Sequence, residues 1–213
     1  MVRKDIKEFI KTIPSDVTIV AATKYVGVDD MKILLESGIS NFGENRVNDF
    51  LKKYDALKGL PIKWHFIGHL QRNKAKDIIN KIDCLHSLDS LKLAKIIDDN
   101  RDTPLDTFIE VSVNLEENKD GVPFMEIDKF VEEVLKYKNI HLVGLMMMAV
   151  ANSSSSSLDE QFEKLASIRD ELEKKFEISL PYLSMGMSDD YTHALKAGAT
   201  HIRLGRILFD WVI

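Results

Sequence analysis

Eight times along its 213 residues this chain carries a short apolar run rich in β-branched side chains, and each of the first seven stands ahead of a longer segment whose apolar residues recur at helical spacing. The runs fall at 17–24, 38–45, 62–68, 83–88, 105–113, 140–149, 180–188 and 200–205. The helical segments between them cover 28–37, 47–58, 73–80, 91–99, 127–137, 158–176 and 189–198. A near-continuous apolar strand must be covered on both faces, and a helix after each strand supplies that cover in a parallel sheet. Eight such units predict a closed parallel (β/α)8 barrel of the TIM type, formed by residues 1–213 as a single domain. An open doubly wound sheet is the other arrangement to weigh. It calls for a glycine-rich phosphate loop after the first strand, and Lys24-Tyr25-Val26-Gly27 has neither spacing. Roughly the first thirteen residues read as an extra helix that caps or flanks the barrel.

Composition narrows the function classes. With 45% hydrophobic and 30% charged residues the chain can bury a full core. Its net charge of −5 comes from acids and lysines mixed along the whole length, which argues against nucleic-acid binding. No apolar stretch approaches the roughly 20 residues of a membrane span. The N-terminus is amphipathic and contains acids, unlike a signal peptide. A cytoplasmic protein is expected. Cys84, the single cysteine, lies in an apolar run and reads as core filler. The six histidines are scattered, and His65 with His69 straddle Gly68 without an evident third ligand, so no metal site is expected. Ser153 to Ser157 read as a flexible, solvated loop.

In a parallel barrel the chemistry gathers where strands end. Those positions hold Lys24, Asn45, His65, Gly68, Met146, the segment from Ser184 to Ser188, and the segment from Arg203 to Arg206. In SMGMSDD, Gly186 permits a close backbone approach and Ser188 stands where a helix N-cap belongs. In RLGR, Gly205 exposes backbone N–H groups on the next strand end. Together these loops resemble the phosphate site that barrels form after strands seven and eight. Arg203 alternates with Ile202 and Leu204 and so points to the opposite face, into the barrel. A buried guanidinium needs a partner. The choices are an unprotonated pyridine nitrogen, since arginine can only donate, or an internal acid such as Glu110.

The strings AATKYV, NFGENRVND, WHFIGHLQRNKAK, VGLMMMA, SMGMSDDYTHALKAGATHIRLGR and LFD resemble the YggS/PROSC family of pyridoxal phosphate homeostasis proteins, from Val17 to Phe209. The resemblance implies a barrel of the alanine racemase N-terminal type with pyridoxal 5′-phosphate (PLP) as cofactor. Lys24 would hold PLP as a Schiff base and Asn45 would lie against its ring. Ser188, with backbone around Met187, Gly205 and Arg206, would hold the phosphate, and Arg203 would meet the pyridine nitrogen. Many relatives carry serine at Thr23, threonine at Met147, proline at Val150 and threonine at Arg206. The racemases of this fold use a second, β-rich domain and a partner subunit's tyrosine. This chain ends eight residues after Gly205, and Tyr25 is expected to point away from the ring. A non-catalytic PLP carrier, expected to be monomeric, is therefore favoured, with apo PLP-dependent enzymes as candidate recipients. An amino-acid racemase or decarboxylase of the same fold is the alternative.

Overall fold

The computed structural model describes residues 1–113 and 121–210. Part of the loop expected before Gly121 lies outside them. Nine strands alternate with eight helices among the described residues. The strands are β1 (Thr18–Ala22), β2 (Asn41–Glu44), β3 (Lys63–Phe66), β4 (Cys84–Leu88), β5 (Leu105–Ser112), β6 (Val122–Pro123), β7 (Ile140–Met146), β8 (Tyr182–Ser184) and β9 (His201–Leu204). The helices are α1 (Ile6–Lys11), α2 (Val28–Glu36), α3 (Val47–Ala56), α4 (Arg72–Ile78), α5 (Leu91–Asn100), α6 (Ile127–Val134), α7 (Ser155–Phe176) and α8 (Tyr191–Lys196). Eight strands run in the order β4-β3-β2-β1-β9-β8-β7-β5, and pairing of β4 with β5 closes the ring. All these pairings are parallel, as the expected barrel requires. The two-residue β6 adds to the end of β5 and was not foreseen; two residues are too few to carry a period.

The N-terminal helix flanks the barrel. Val2 bridges Phe209 in antiparallel fashion, Arg3 N–H donates to the Leu208 carbonyl at 3.0 Å, and the Phe9 ring meets Tyr191 edge-on. Ser90 caps α5 by accepting from Leu93 N–H.

The serine run is not the flexible loop expected. Ser154 is the N-cap of α7 and its hydroxyl accepts from Ser157 N–H at 3.3 Å, so Ser155 to Ser157 form the first helical turn. Gln161, one turn on, reaches back to Ser153 and Ser157 and accepts from Val150 N–H at 2.9 Å. Serine's capping ability outweighs its weak helix propensity at this one place. The Val150 amide donates there, which a proline could not do.

Outward side chains such as Phe42, Leu85, Ile109, Leu145 and Ile202 are buried under the helices. The inside is unusual for a barrel, where branched aliphatics dominate. His65, His86, His201, Ser184 and Arg203 are buried there together with Phe108. The His86 ring stacks on Phe108 at 4.5 Å, and the Phe108 and His201 rings lie 5.3 Å apart. Strand approach is closest at Gly144, where a Cβ would come within 1.9 Å of the Tyr182 carbonyl oxygen and 3.1 Å of the Phe108 ring. Gly144→Ala is therefore expected to destabilise the protein by about 3 kcal/mol, lowering Tm by roughly 6–12 °C. Thermal unfolding measures this, and a change under 2 °C would show that β7 and β8 separate at little cost.

Candidate functional site

β1 ends at Ala22, and Thr23 opens a tight turn in which Val26 N–H donates to the Thr23 carbonyl at 3.1 Å. The turn is fixed from below. Thr23 Oγ1 donates to Glu44 Oε1, and the Lys53 ammonium donates to both Glu44 Oε1 at 2.7 Å and the Thr23 carbonyl at 2.6 Å. Glu44 is fully buried on the outer face of the barrel beneath α3. A buried carboxylate requires such a partner. The signal for this support was present only as two separate letters, one in a strand and one in a helix. The Thr23 hydroxyl does there what a serine would do.

Lys24, next in the turn, is exposed, and its ammonium lies over the Tyr25 ring at 4.8 Å. Tyr25, expected to point away from a cofactor ring, thus stands beside the lysine. Strand alternation stops with β1 at Ala22, three residues before Tyr25, so the turn sets the direction of its side chain.

Opposite stand the loops after β8 and β9. Gly186 takes φ +91°, and a Cβ there would meet the Ala194 Cβ at 2.7 Å, so the loop lies directly on α8. Ser188 does not cap α8. Its hydroxyl accepts from Gly205 N–H at 3.2 Å and Ile207 N–H at 3.4 Å, tying the two strand ends together. The N-cap position belongs to Asp190, whose carboxylate accepts from Met187 N–H at 2.5 Å. Arg206 is ion-paired with Asp189 at the surface.

Arg203 is buried, as the alternation in its strand predicts. One guanidinium nitrogen donates to the Ser184 carbonyl at 2.8 Å and hydroxyl at 2.7 Å, and the other to the Met147 carbonyl at 2.8 Å. Burial pushes its pKa down to about 10, and the charges of Glu110 and Asp190 oppose the shift. It stays cationic at neutral pH. Met147 contributes its backbone carbonyl, while its side chain is fully buried in the core.

Six of the seven expected residues meet in one cavity of about 340 Å³. Lys24, Met187, Ser188, Arg203, Gly205 and Arg206 line it, with Tyr25 and Phe209 among the others. Asn45 is not in its lining. Gly68 presses on Asn45, since a Cβ at Gly68 would lie 2.5 Å from the Asn45 carbonyl, and Asn45 Oδ1 is buried with no hydrogen-bond partner. A lysine amine faces a loop pair rich in N–H donors, with a buried cation between. That set can hold a compact molecule carrying an aldehyde, a phosphate and an aromatic acceptor.

A larger open cleft of about 1140 Å³ lies elsewhere, between His69, Arg72, Asp89 and Phe130. None of the candidate residues reaches it. A ring nitrogen of His65, Cys84 Sγ and a ring nitrogen of His86 lie within 4.8 Å of one another, close enough for metal ligands. The two ring nitrogens are 2.8 Å apart and spent on each other, so an ion would have to part them. Cys84 is buried inside the barrel on β4, and burial pushes its thiol pKa well up.

Residues 2–210 match the family model of the alanine racemase N-terminal domain. A pyridoxal phosphate homeostasis protein of Aquifex aeolicus is 39% identical over 194 residues, covering 90% of this chain and 85% of that one. One of Synechocystis is 35% identical over 207 residues, covering 95% and 94%. The solved structure of PipY of Synechococcus elongatus with PLP bound superposes with a TM-score of 0.89 at 27% identity, covering 96% of this chain and all of that one. An alanine racemase of Clostridium difficile shares the fold, with a TM-score of 0.81 at 16% identity over 58% of its length.

Proposed function

Since this chain belongs to the pyridoxal phosphate homeostasis proteins, we propose that it binds pyridoxal 5′-phosphate through Lys24 and manages the cofactor inside the cell without transforming an amino acid. The observation that carries the assignment to this site is the shared cavity of Lys24, Ser188, Arg203, Gly205 and Arg206. When bound, the cofactor supplies an aldehyde that takes up a primary amine reversibly with loss of water. The exposed Lys24 amine is the group positioned to be taken up. Ser188 and the Gly205 and Ile207 N–H groups it now engages offer the phosphate a hydroxyl and two amides, and Arg206 adds a cation at the rim. Arg203, fixed by three hydrogen bonds, can donate to a ring nitrogen but not accept from it, which keeps that nitrogen unprotonated. An unprotonated ring withdraws electrons weakly and so suits holding the cofactor better than carbanion chemistry. Asn45 Oδ1, buried beside Gly68 without a hydrogen-bond partner, is free to accept from the cofactor.

The same reading takes the barrel as one cytoplasmic, monomeric unit whose recipients are apo PLP-dependent enzymes. Among the described residues no helix is long and apolar enough to cross a membrane.

Titration of the apo protein with the cofactor is expected to produce a visible absorption band that saturates at one equivalent. A protein that stays colourless overturns the binding reading. Incubation of the loaded protein with single L-amino acids is expected to give no sustained α-proton exchange. Turnover at the roughly 1–10³ s⁻¹ of ordinary enzymes would replace the carrier by a racemase or decarboxylase.

A further inference from the structure

The four polar side chains behind Arg203 form a chain whose direction the guanidinium charge selects. Arg203 can only donate, so the Ser184 hydroxyl oxygen accepts from it at 2.7 Å. Turned away from the guanidinium charge, the Ser184 proton goes to the other neighbour, His86 Nδ1, at 2.8 Å. His86 is completely buried, and desolvation, with His65, His201, Arg203 and Lys63 nearby, holds it well below its ordinary pKa and hence neutral. With Nδ1 accepting, its single proton sits on Nε2 and is donated to His65 Nδ1 at 2.8 Å. His65 is buried and neutral for the same reason. Its proton is on Nε2 and is donated to Asn41 Oδ1 at 2.9 Å. Five residues on five strands thus form one wire across the barrel, from Arg203 through Ser184, His86 and His65 to Asn41, each donating away from the arginine.

We infer that His86 and His65 are positioning residues for the cofactor site: acting through Ser184, they hold the Arg203 guanidinium in place and turn the negative end of every link toward its charge. The inference rests on the cofactor reading, in which Arg203 faces the ring. Aligned links polarise one another and are stronger together than apart. A desolvated guanidinium needs such compensation. Running the wire the other way would turn the positive end of every link toward the guanidinium and would require Asn41 to present its amide N–H, so the charge of Arg203 selects this arrangement. The two histidines thereby act on a cavity that neither of them lines.

Two measurements test this separately. In the apo protein with ¹⁵N-labelled histidine, long-range ¹H–¹⁵N correlations are expected to show His86 and His65 as neutral Nε2–H tautomers at pH 7. An Nδ1–H tautomer or a charged ring at His86 overturns the wire whether or not the cofactor binds. In the loaded protein, His86→Leu is expected to weaken cofactor affinity about tenfold and to shift the visible band. His86→Asn, whose carbonyl can stand where Nδ1 accepts, is expected to stay within about threefold of the native protein with an unshifted band. Ser184→Ala, which cuts the same link with less change of volume, is expected to follow His86→Leu and decides the matter if the leucine variant does not fold. Native affinity and an unshifted band in folded His86→Leu or Ser184→Ala overturn the positioning role. Failure of the native protein to take up cofactor would instead sink the binding reading, visibly apart from the tautomers.

Discussion

Lys24→Ala is expected to abolish the visible band that the cofactor produces in the native protein and to leave nothing for borohydride to fix covalently, while the barrel stays folded. The two halves of this result have separate causes. The Lys24 side chain is exposed, and its amine lies over Tyr25 outside the core. Removing it should change stability by no more than about 0.5 kcal/mol. The turn itself is held by the Thr23 backbone and hydroxyl through Lys53 and Glu44, which the substitution leaves intact. Ser188, Gly205 and Arg203 also remain, so weaker, non-covalent and dialysable binding should persist. The check is absorption and mass spectrometry before and after reduction. A native-like band in the alanine variant, or a label found on another lysine, would move the anchor elsewhere.

Acid is expected to unfold this protein earlier than carboxylate titration alone would. Three histidines inside the barrel are held neutral by burial: His65 and His86 well below the ordinary value of 6.5, and His201 down to about 4. Lys63 and Arg203 push His201 further down, and Asp106 pulls it up. Between the folded and unfolded pKa values the unfolded chain binds more protons, so stability rises with pH across that window. The contribution is complete above about pH 6.5 and is lost as the pH falls. For His201 the gap from 6.5 to about 4, at about 1.4 kcal/mol per pH unit, amounts to roughly 3 kcal/mol by pH 4. His65 and His86 act in the same direction. Denaturant midpoints measured from pH 8 to pH 4.5 should therefore be level above pH 6.5 and decline steadily below it. His201→Phe, without a titrating ring, should flatten part of that decline. A stability that holds level down to pH 5 would mean that the barrel interior opens to water and protonates without unfolding.

The strand and helix units were readable in the chain because each is a local pattern of period two or 3.6 carried by neighbours in sequence. Arg203 was correctly turned inward by alternation within β9. Alternation gives no direction for Tyr25, because it ends with β1 and a turn sets the next side chains. The serine run misled for a related reason. Its composition suits a loop, and only the position of Ser154 ahead of an amphipathic segment made it a cap. Ser188 was taken for a cap by the same logic, but the next strand end offered it two better donors.

By itself, the sequence determined the repeated unit, the parallel barrel, the lysine after the first strand and the glycine-bearing loops after the last two. Its family motifs pointed to the cofactor. Tertiary structure alone decided what stands behind those residues. His86 and Ser184 are 98 positions apart, and Glu44 meets Lys53 across a strand and a helix. Closing the ring is what brings β3, β4, β8 and β9 around one interior. A hydrogen bond forms only within about 3 Å and needs one donor and one acceptor. That condition depends on where the barrel closes, and no local period encodes it.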